Sequence, residues 1–144
     1  MAVTIEQDYS CTFREDVPLP VKMLIQREGS VSGSTKAMQN VVQTDFSSPG
    51  SITVRAYLDD GSETPVAALV TLTVSAVVYN TPLTGNAGPS GGWNFDYTVP
   101  GSFFPSPTSV SGANTIVEFA FTLSDGVLWK VVRLVGPVLA VAVS

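Results

Sequence analysis

Apolar and polar residues alternate along much of this chain, in short stretches separated by turn residues. Ser51 to Leu58 (SITVRAYL) places Ile52, Val54, Ala56 and Leu58 on one side of an extended segment and Thr53, Arg55 and Tyr57 on the other. Ile116 to Leu123 (IVEFAFTL) repeats the arrangement with Val117, Phe119, Phe121 and Leu123. A period of two marks a strand with one buried face, because successive side chains point to opposite sides. Both stretches run into Asp-Gly, at Asp60-Gly61 and Asp125-Gly126, and a second apolar run follows each. Asp-Gly between such runs predicts a β-hairpin, since these residues tolerate the positive φ of a tight turn. The two units superpose without a gap at a spacing of 65 residues, so the chain carries an internal repeat.

The same pattern predicts further strands at Val3 to Tyr9, Val21 to Gln26 and Trp93 to Val99. Phe13 to Pro20 holds an acidic step and two prolines and is expected as loop or edge strand. Lys36 to Phe46 fits a strand or a short helix and is assigned as strand. Val66 to Val78 is long for one strand and is expected to bend or bulge midway. Val127 to Val143 is the most apolar stretch, but Lys130, Arg133 and Gly136-Pro137 interrupt it. A membrane helix needs about 20 apolar residues, so two strands near 127–135 and 138–143 are predicted instead. Gly- and Pro-rich loops cover Gly29 to Ser34, Asn80 to Gly92 and Pro100 to Asn114.

No segment sustains a 3.6-residue period, so the expected fold is all-β: an antiparallel sandwich of about eight to ten strands with little helix. One domain spanning 1–144 is expected. Two small modules, 1–79 and 80–144, are the alternative, although units of about 70 residues without disulfide or metal are marginal.

Composition narrows the function. Charged residues are 13% of 144 positions and the net charge is −5. The seven basic residues, Arg14, Lys22, Arg27, Lys36, Arg55, Lys130 and Arg133, are scattered, which argues against nucleic acid and against a membrane surface. So little charge implies either a surface partly covered by other subunits or one coated with Ser, Thr and Asn. Cys11 is the only cysteine, so no intrachain disulfide forms and a reducing compartment is expected. It reads as a small buried hydrophobe beside Phe13, against the alternative of a reactive thiol. The N-terminus MAVTIEQDYS lacks a basic start followed by an apolar run, so no export signal is expected.

Histidine is absent, which removes the commonest general base and transition-metal ligand. No phosphate-cradling glycine loop follows a strand. Carboxylates remain: Glu15-Asp16, and the cluster Asp59, Asp60 and Glu63, which could serve a hydrolase or a calcium ion. Acids at a hairpin tip are equally what the turn itself demands, because Asp bonds the local backbone there. No catalytic residue, metal or cofactor is assigned, and no enzyme activity is expected. Trp93, Phe95 and Tyr97 share a strand face and belong either to the core or to a ligand-stacking platform. Phe103 and Phe104 lie in a Pro/Ser loop. They either plug the open end of the sandwich or anchor a partner, and are the candidate partner contacts.

Pro49 to Gly61 (PGSITVRAYLDDG) with Val66 to Val74 resembles the closing hairpin of bacterial and phage immunoglobulin-like modules, and Ile116 to Gly126 with its return strand is similar. The resemblance covers about a third of the chain. It implies an immunoglobulin-like sandwich serving as a structural component of a tailed-phage virion, in capsid decoration, neck, tail or baseplate. The implied partners are other virion proteins or further copies of the chain, assembled in the host cytoplasm. The loops at 80–92 and 100–114 are longer than a compact module needs. The alternative function is a carbohydrate- or receptor-binding module, with Trp93 and Tyr97 or the two phenylalanines stacking on a sugar.

Overall fold

The computed structural model describes residues 4–28, 38–79, 93–105 and 113–140. The described chain is mostly β. Its elements are β1 (Ile5–Ser10), β2 (Phe13–Arg14), β3 (Leu19–Met23), β4 (Gln26–Glu28), β5 (Met38–Asn40), β6 (Ser51–Leu58), β7 (Pro65–Thr71), α1 (Val74–Val77), β8 (Phe95–Val99), β9 (Thr115–Thr122), β10 (Leu128–Gly136) and β11 (Val138–Leu139), with 3-10 turns at Gln43–Phe46 and Gly101–Phe103. A five-stranded sheet runs β1-β10-β9-β6-β7, and three two-stranded ladders join β11 to β2, β3 to β8 and β4 to β5.

The repeated units form the hairpins β6–β7 and β9–β10. Gly61 and Gly126 take φ of +83° and +82° at the two turns. In each, the preceding aspartate accepts the backbone N–H two residues on, Asp60 from Ser62 and Asp125 from Val127. The matching turn chemistry shows that the equivalence extends beyond hydrophobic pattern.

The two copies also pair with each other. β6 and β9 run antiparallel from Ser51↔Thr122 to Leu58↔Thr115, and Val54 sits opposite Phe119. Val54 and Phe119 are equivalent positions of the repeat, so the copies meet about a local pseudo-two-fold axis at that pair. Ile52, Val54, Ala56, Val117, Phe119 and Phe121 are all buried on this shared face. β9 lies third of five strands and is buried on both faces over most of its length.

Phe95 of β8 closes the core from the other layer, its ring edge-on to Phe119 and Phe121 at 5.7 Å each. Phe46 tilts against Phe121 at 6.0 Å. The polar centre of this layer is Asn94, fully buried. Its Oδ1 accepts from the Ile25 N–H at 2.7 Å, and its Nδ2 donates to the carbonyls of Ile25 and Val41 at 3.0 and 3.2 Å. Asn94 thereby ties the ends of β3, β5 and β8 together. Asn94→Ala removes the side-chain bonds to the Ile25 N–H and the Val41 carbonyl, while the Ile25 carbonyl keeps the Val41 N–H, and about 2 kcal/mol of unfolding free energy is expected to be lost. Urea unfolding with an unchanged m-value checks this.

Several expectations are corrected. The sheets are not purely antiparallel: β1 pairs parallel with β10, and β11 parallel with β2. A parallel partner at the edge is possible because β1 lies more than a hundred residues upstream and needs no tight connection. Val66 to Val78 is interrupted midway as its length suggested, but by a strand end and not a bend: β7 stops at Thr71, and Val74–Val77 form a single helical turn. Val78 then bridges Phe95, so the segment passes from one layer to the other. Lys36 to Phe46 is divided between β5 and a 3-10 turn, where Asp45 Oδ2 accepts the Val42 N–H and so caps the turn. The Val21-to-Gln26 strand ends at Met23, and Gln26 begins β4. Gly136 marks the junction of β10 and β11: a Cβ there would fall 1.5 Å from the Cys11 carbonyl oxygen. Only glycine allows that approach. Strand pairs β1–β10, β3–β8 and β6–β9 all join residues before 79 to residues after 93.

Candidate functional site

The described surface offers three features: a charged row on the outer face of the five-stranded sheet, the two edges of that sheet, and grooves between the layers. The row is built by register. Asp8, Arg133, Glu118 and Arg55 lie opposite one another across β1, β10, β9 and β6. Glu118 is buried at its centre. Its Oε1 accepts from Arg55 Nε at 2.8 Å, and its Oε2 accepts from Arg133 Nε at 3.0 Å and from the Tyr57 hydroxyl at 3.0 Å. Arg55 reaches on to Glu63 at 3.1 Å, and Arg133 to Glu6 at 3.0 Å and Asp8 at 3.4 Å.

Burial pushes the Glu118 carboxyl up, but hydrogen bonds from Arg55, Tyr57 and Arg133 outweigh it and hold the group below the usual carboxylate range. Burial, followed by the bond to Glu118, pushes the Tyr57 hydroxyl up. The bond to Glu118 holds Arg55 more firmly protonated. Every oxygen of Glu118 is engaged and both guanidinium groups are shared among acids. The row therefore locks four strands in register and leaves no free base for proton transfer.

The residues singled out in the sequence fall elsewhere. Phe103 and Phe104 are 4% and 0% exposed, which corrects their assignment as partner contacts. The 3-10 turn at Gly101–Phe103 folds the loop inward, and Phe104 stacks on Phe13 at 4.7 Å. They plug the end of the core. Phe95 and Val99 are fully buried, and Tyr97 meets Phe119 edge-on at 6.2 Å. Trp93 precedes the strand, edge-on to Tyr79 at 5.0 Å, with the Lys22 ammonium 4.8 Å from its ring. The strand therefore serves the core, and Trp93 alone of this set stands apart from it.

The acids at the first turn are dispersed in role. Asp60 accepts from the backbone and hydroxyl of Ser62, and Glu63 bonds Arg55. Asp59 donates its N–H to the Asn114 carbonyl. Among the described residues no group of three acidic or thiol side chains is arranged to hold a metal ion. Asp16 takes φ of +58° in the turn after β2, where its N–H bonds the Phe104 carbonyl. Cys11 packs partly buried against the core, and burial pushes its thiol up. A raised thiol is a poor nucleophile.

The two edges of the large sheet differ. β1 carries Glu6 and Asp8, which face Arg133. β7 (PVAALVT) carries no charge, and the uncharged stretch of sequence runs from Thr64 through Phe95. Among the described residues β7 pairs only with β6, and two bulges interrupt that ladder. Leu69 is 57% exposed and Val70 39%. Edge strands of soluble proteins are usually blunted by charge, proline or a covering segment. β7 has the bulges and a proline at its first residue, but no charge.

No known protein family matches this chain, and no curated protein or solved structure matches it.

Among the described residues, two grooves between the layers stand out. One, about 450 Å³, runs between β3 and the inner side of β1 and β10, lined by Leu19, Val21, Met23, Val132, Leu134 and Lys130 among others. The other, about 480 Å³ and more open, lies between β7, α1 and β8, with Tyr79, Asp96 and Tyr97 on its walls. Sequence reading missed the charged row, the β7 edge and both grooves. Arg55 and Glu118 did occupy the polar side of the repeated strands, and that was the available signal for the row.

Proposed function

We propose that this chain is a structural protein of a tailed-phage virion, a single immunoglobulin-like sandwich that acts by binding other virion subunits or further copies of itself. The observation that carries the assembly reading is β7, an uncharged edge strand with Leu69 and Val70 exposed at the end of the large sheet. Because β7 is bulged, insertion of these side chains into a neighbour suits it better than an unbroken backbone ladder. Strand order supports the immunoglobulin-like reading. The sequence β10-β9-β6-β7 is the order expected of the G, F, C and C′ strands, and β3 paired with β8 corresponds to B and E of the opposing sheet.

Light scattering across a range of concentrations tests the reading, with Leu69→Lys as the comparison. The wild-type chain is expected to gain mass with concentration, or to co-purify with capsid or tail proteins from particles, and Leu69→Lys to do neither. A monomer at all concentrations that is absent from particles would overturn it. The second reading, a glycan- or receptor-binding module, is favoured by one observation: Tyr79, Asp96 and Tyr97 all line the open groove. Aromatic faces beside a carboxylate suit a sugar, and a glycan array separates this reading from the first.

A further inference from the structure

The groove between β3 and the inner side of β1 and β10 differs from the rest of the surface in how its charge is arranged. Its floor and walls are apolar, formed by Leu19, Val21, Met23, Val132 and Leu134. Val21 and Val132 are buried in it, whereas Leu19, Met23 and Leu134 are half-buried and pack at the margin of the core. Two lysines also line it, Lys130 and the exposed Lys22, whose ammonium sits over the Trp93 ring. On β10, Lys130, Val132 and Leu134 alternate with Val131 and Arg133, so Lys130 shares the inner side with the apolar floor while Arg133 faces the charged row.

Lys130 is half-buried, and burial pushes its ammonium down from the usual lysine range. Arg27, Arg55 and Arg133 are each paired with a carboxylate. Among the described residues Lys130 has no such partner, nor do the exposed Arg14 and Lys22; the Lys130 ammonium lies 5.8 Å from the ring of its neighbour Trp129. The acids of β1 do not supply one, because Glu6 and Asp8 turn to Arg133. In a chain of net charge −5, a half-buried cation with no acid beside an apolar groove is an unusual placement. A partly desolvated ammonium is stabilised by an anion brought to it.

We propose that this groove binds a small amphiphile, an apolar chain ended by a carboxylate, with the chain along Val21, Met23, Val132 and Leu134 and the carboxylate on Lys130. A volume of about 450 Å³ lies within the range of small-ligand sites, and an apolar lining with few polar groups is their usual chemistry. Gln7 and the Tyr9 side chain also line the groove and add neutral hydrogen-bonding groups. The site lies on the opposite side of the large sheet from the charged row and does not use the β7 edge. It stands or falls independently of the assembly reading.

Titration calorimetry of the full chain with decanoate tests the proposal, with decanol as the probe lacking the anion. Decanoate is expected to bind at least about 10-fold more tightly than decanol, and Lys130→Gln to lose about 10-fold in decanoate affinity while leaving decanol unchanged. Amide chemical shifts of the wild-type protein should move at Val21, Met23, Val132 and Leu134 and stay still at β7. That measurement needs no variant to fold. Equal binding of the two probes, an unchanged Lys130→Gln, or no binding at millimolar decanoate would overturn it. So would binding of a neutral extended apolar peptide in the same groove with no response to decanoate, which would make β3 an acceptor edge for a strand instead.

Discussion

Truncating Phe119 to alanine is expected to lower the unfolding free energy by about 4 kcal/mol, near the middle of the range for buried phenylalanine. The position is fully buried on the central strand, and its ring meets Phe95 and Tyr97 edge-on. Its cross-strand partner is Val54, the point about which the two repeated strands are related. Valine cannot fill the space that the ring vacates, and both neighbouring strands are held by their own ladders, so the cavity should persist. The thermal midpoint should fall by roughly 10–15 °C. Leu69→Ala removes a comparable apolar side chain from an exposed edge and should change stability by less than about 0.5 kcal/mol. Chemical denaturation of the two variants side by side checks both values. Similar losses would mean that β7 is covered in the isolated chain.

Phe119 also shows how far the sequence was readable. Period-two alternation and the Asp-Gly turns give β6, β7, β9 and β10 nearly in full, because each is decided by residues adjacent along the chain. The pairing of β6 with β9 is a contact across more than fifty residues, and no local pattern encodes it. The parallel placement of β1 on β10 was hidden for the same reason. At Val66 to Val78 the length of the run foretold a break midway, but not its form. There the chain has to leave the large sheet at Leu72 to bring Val78 to Phe95 in the other layer, and the single helical turn makes that crossing.

The candidate site was less readable than the fold, again for physical reasons. Phe103 and Phe104 drew notice because aromatic residues in a Pro/Ser loop have no sequence-encoded burial. The 3-10 turn folds both inward and sets Phe104 on Phe13, a partner far away in sequence. β7, which by composition looks like a core strand, instead carries the adjacent exposed pair Leu69 and Val70. An edge strand and a central strand have the same alternation, and only the count of neighbours in the sheet separates them. Lys130 was noted as an interruption of an apolar run and as one of seven scattered bases, whereas its position on the inner side of β10 is what sets it beside the groove.

Glu118→Ala is expected to cost about 3 kcal/mol at neutral pH, toward the low end for breaking a buried ion pair. The carboxylate is buried, but Arg55 and Arg133 are 36% and 24% exposed, so water can solvate them once Glu118 is gone. The Tyr57 hydroxyl loses its acceptor in the same step. Glu118→Gln keeps the shape and one hydrogen-bonding oxygen and should fall between wild type and alanine. The two substitutions also separate charge from packing through pH. The folded-state carboxyl is held below its ordinary value, so its contribution is present above about pH 4.3, the usual glutamate value, and is lost as pH falls through the folded value. The stability gap between wild type and Glu118→Gln should therefore be constant from pH 7 down to about pH 5 and close progressively below about pH 4. Urea midpoints measured across that range read it directly. A gap that persists unchanged at pH 3 would mean that the row stabilises the sheet by shape and hydrogen bonding, and that its charges contribute little. Closure of the gap would make the charged row the element that fixes β1, β10, β9 and β6 in register, since Glu118 is the one acid that touches both arginines.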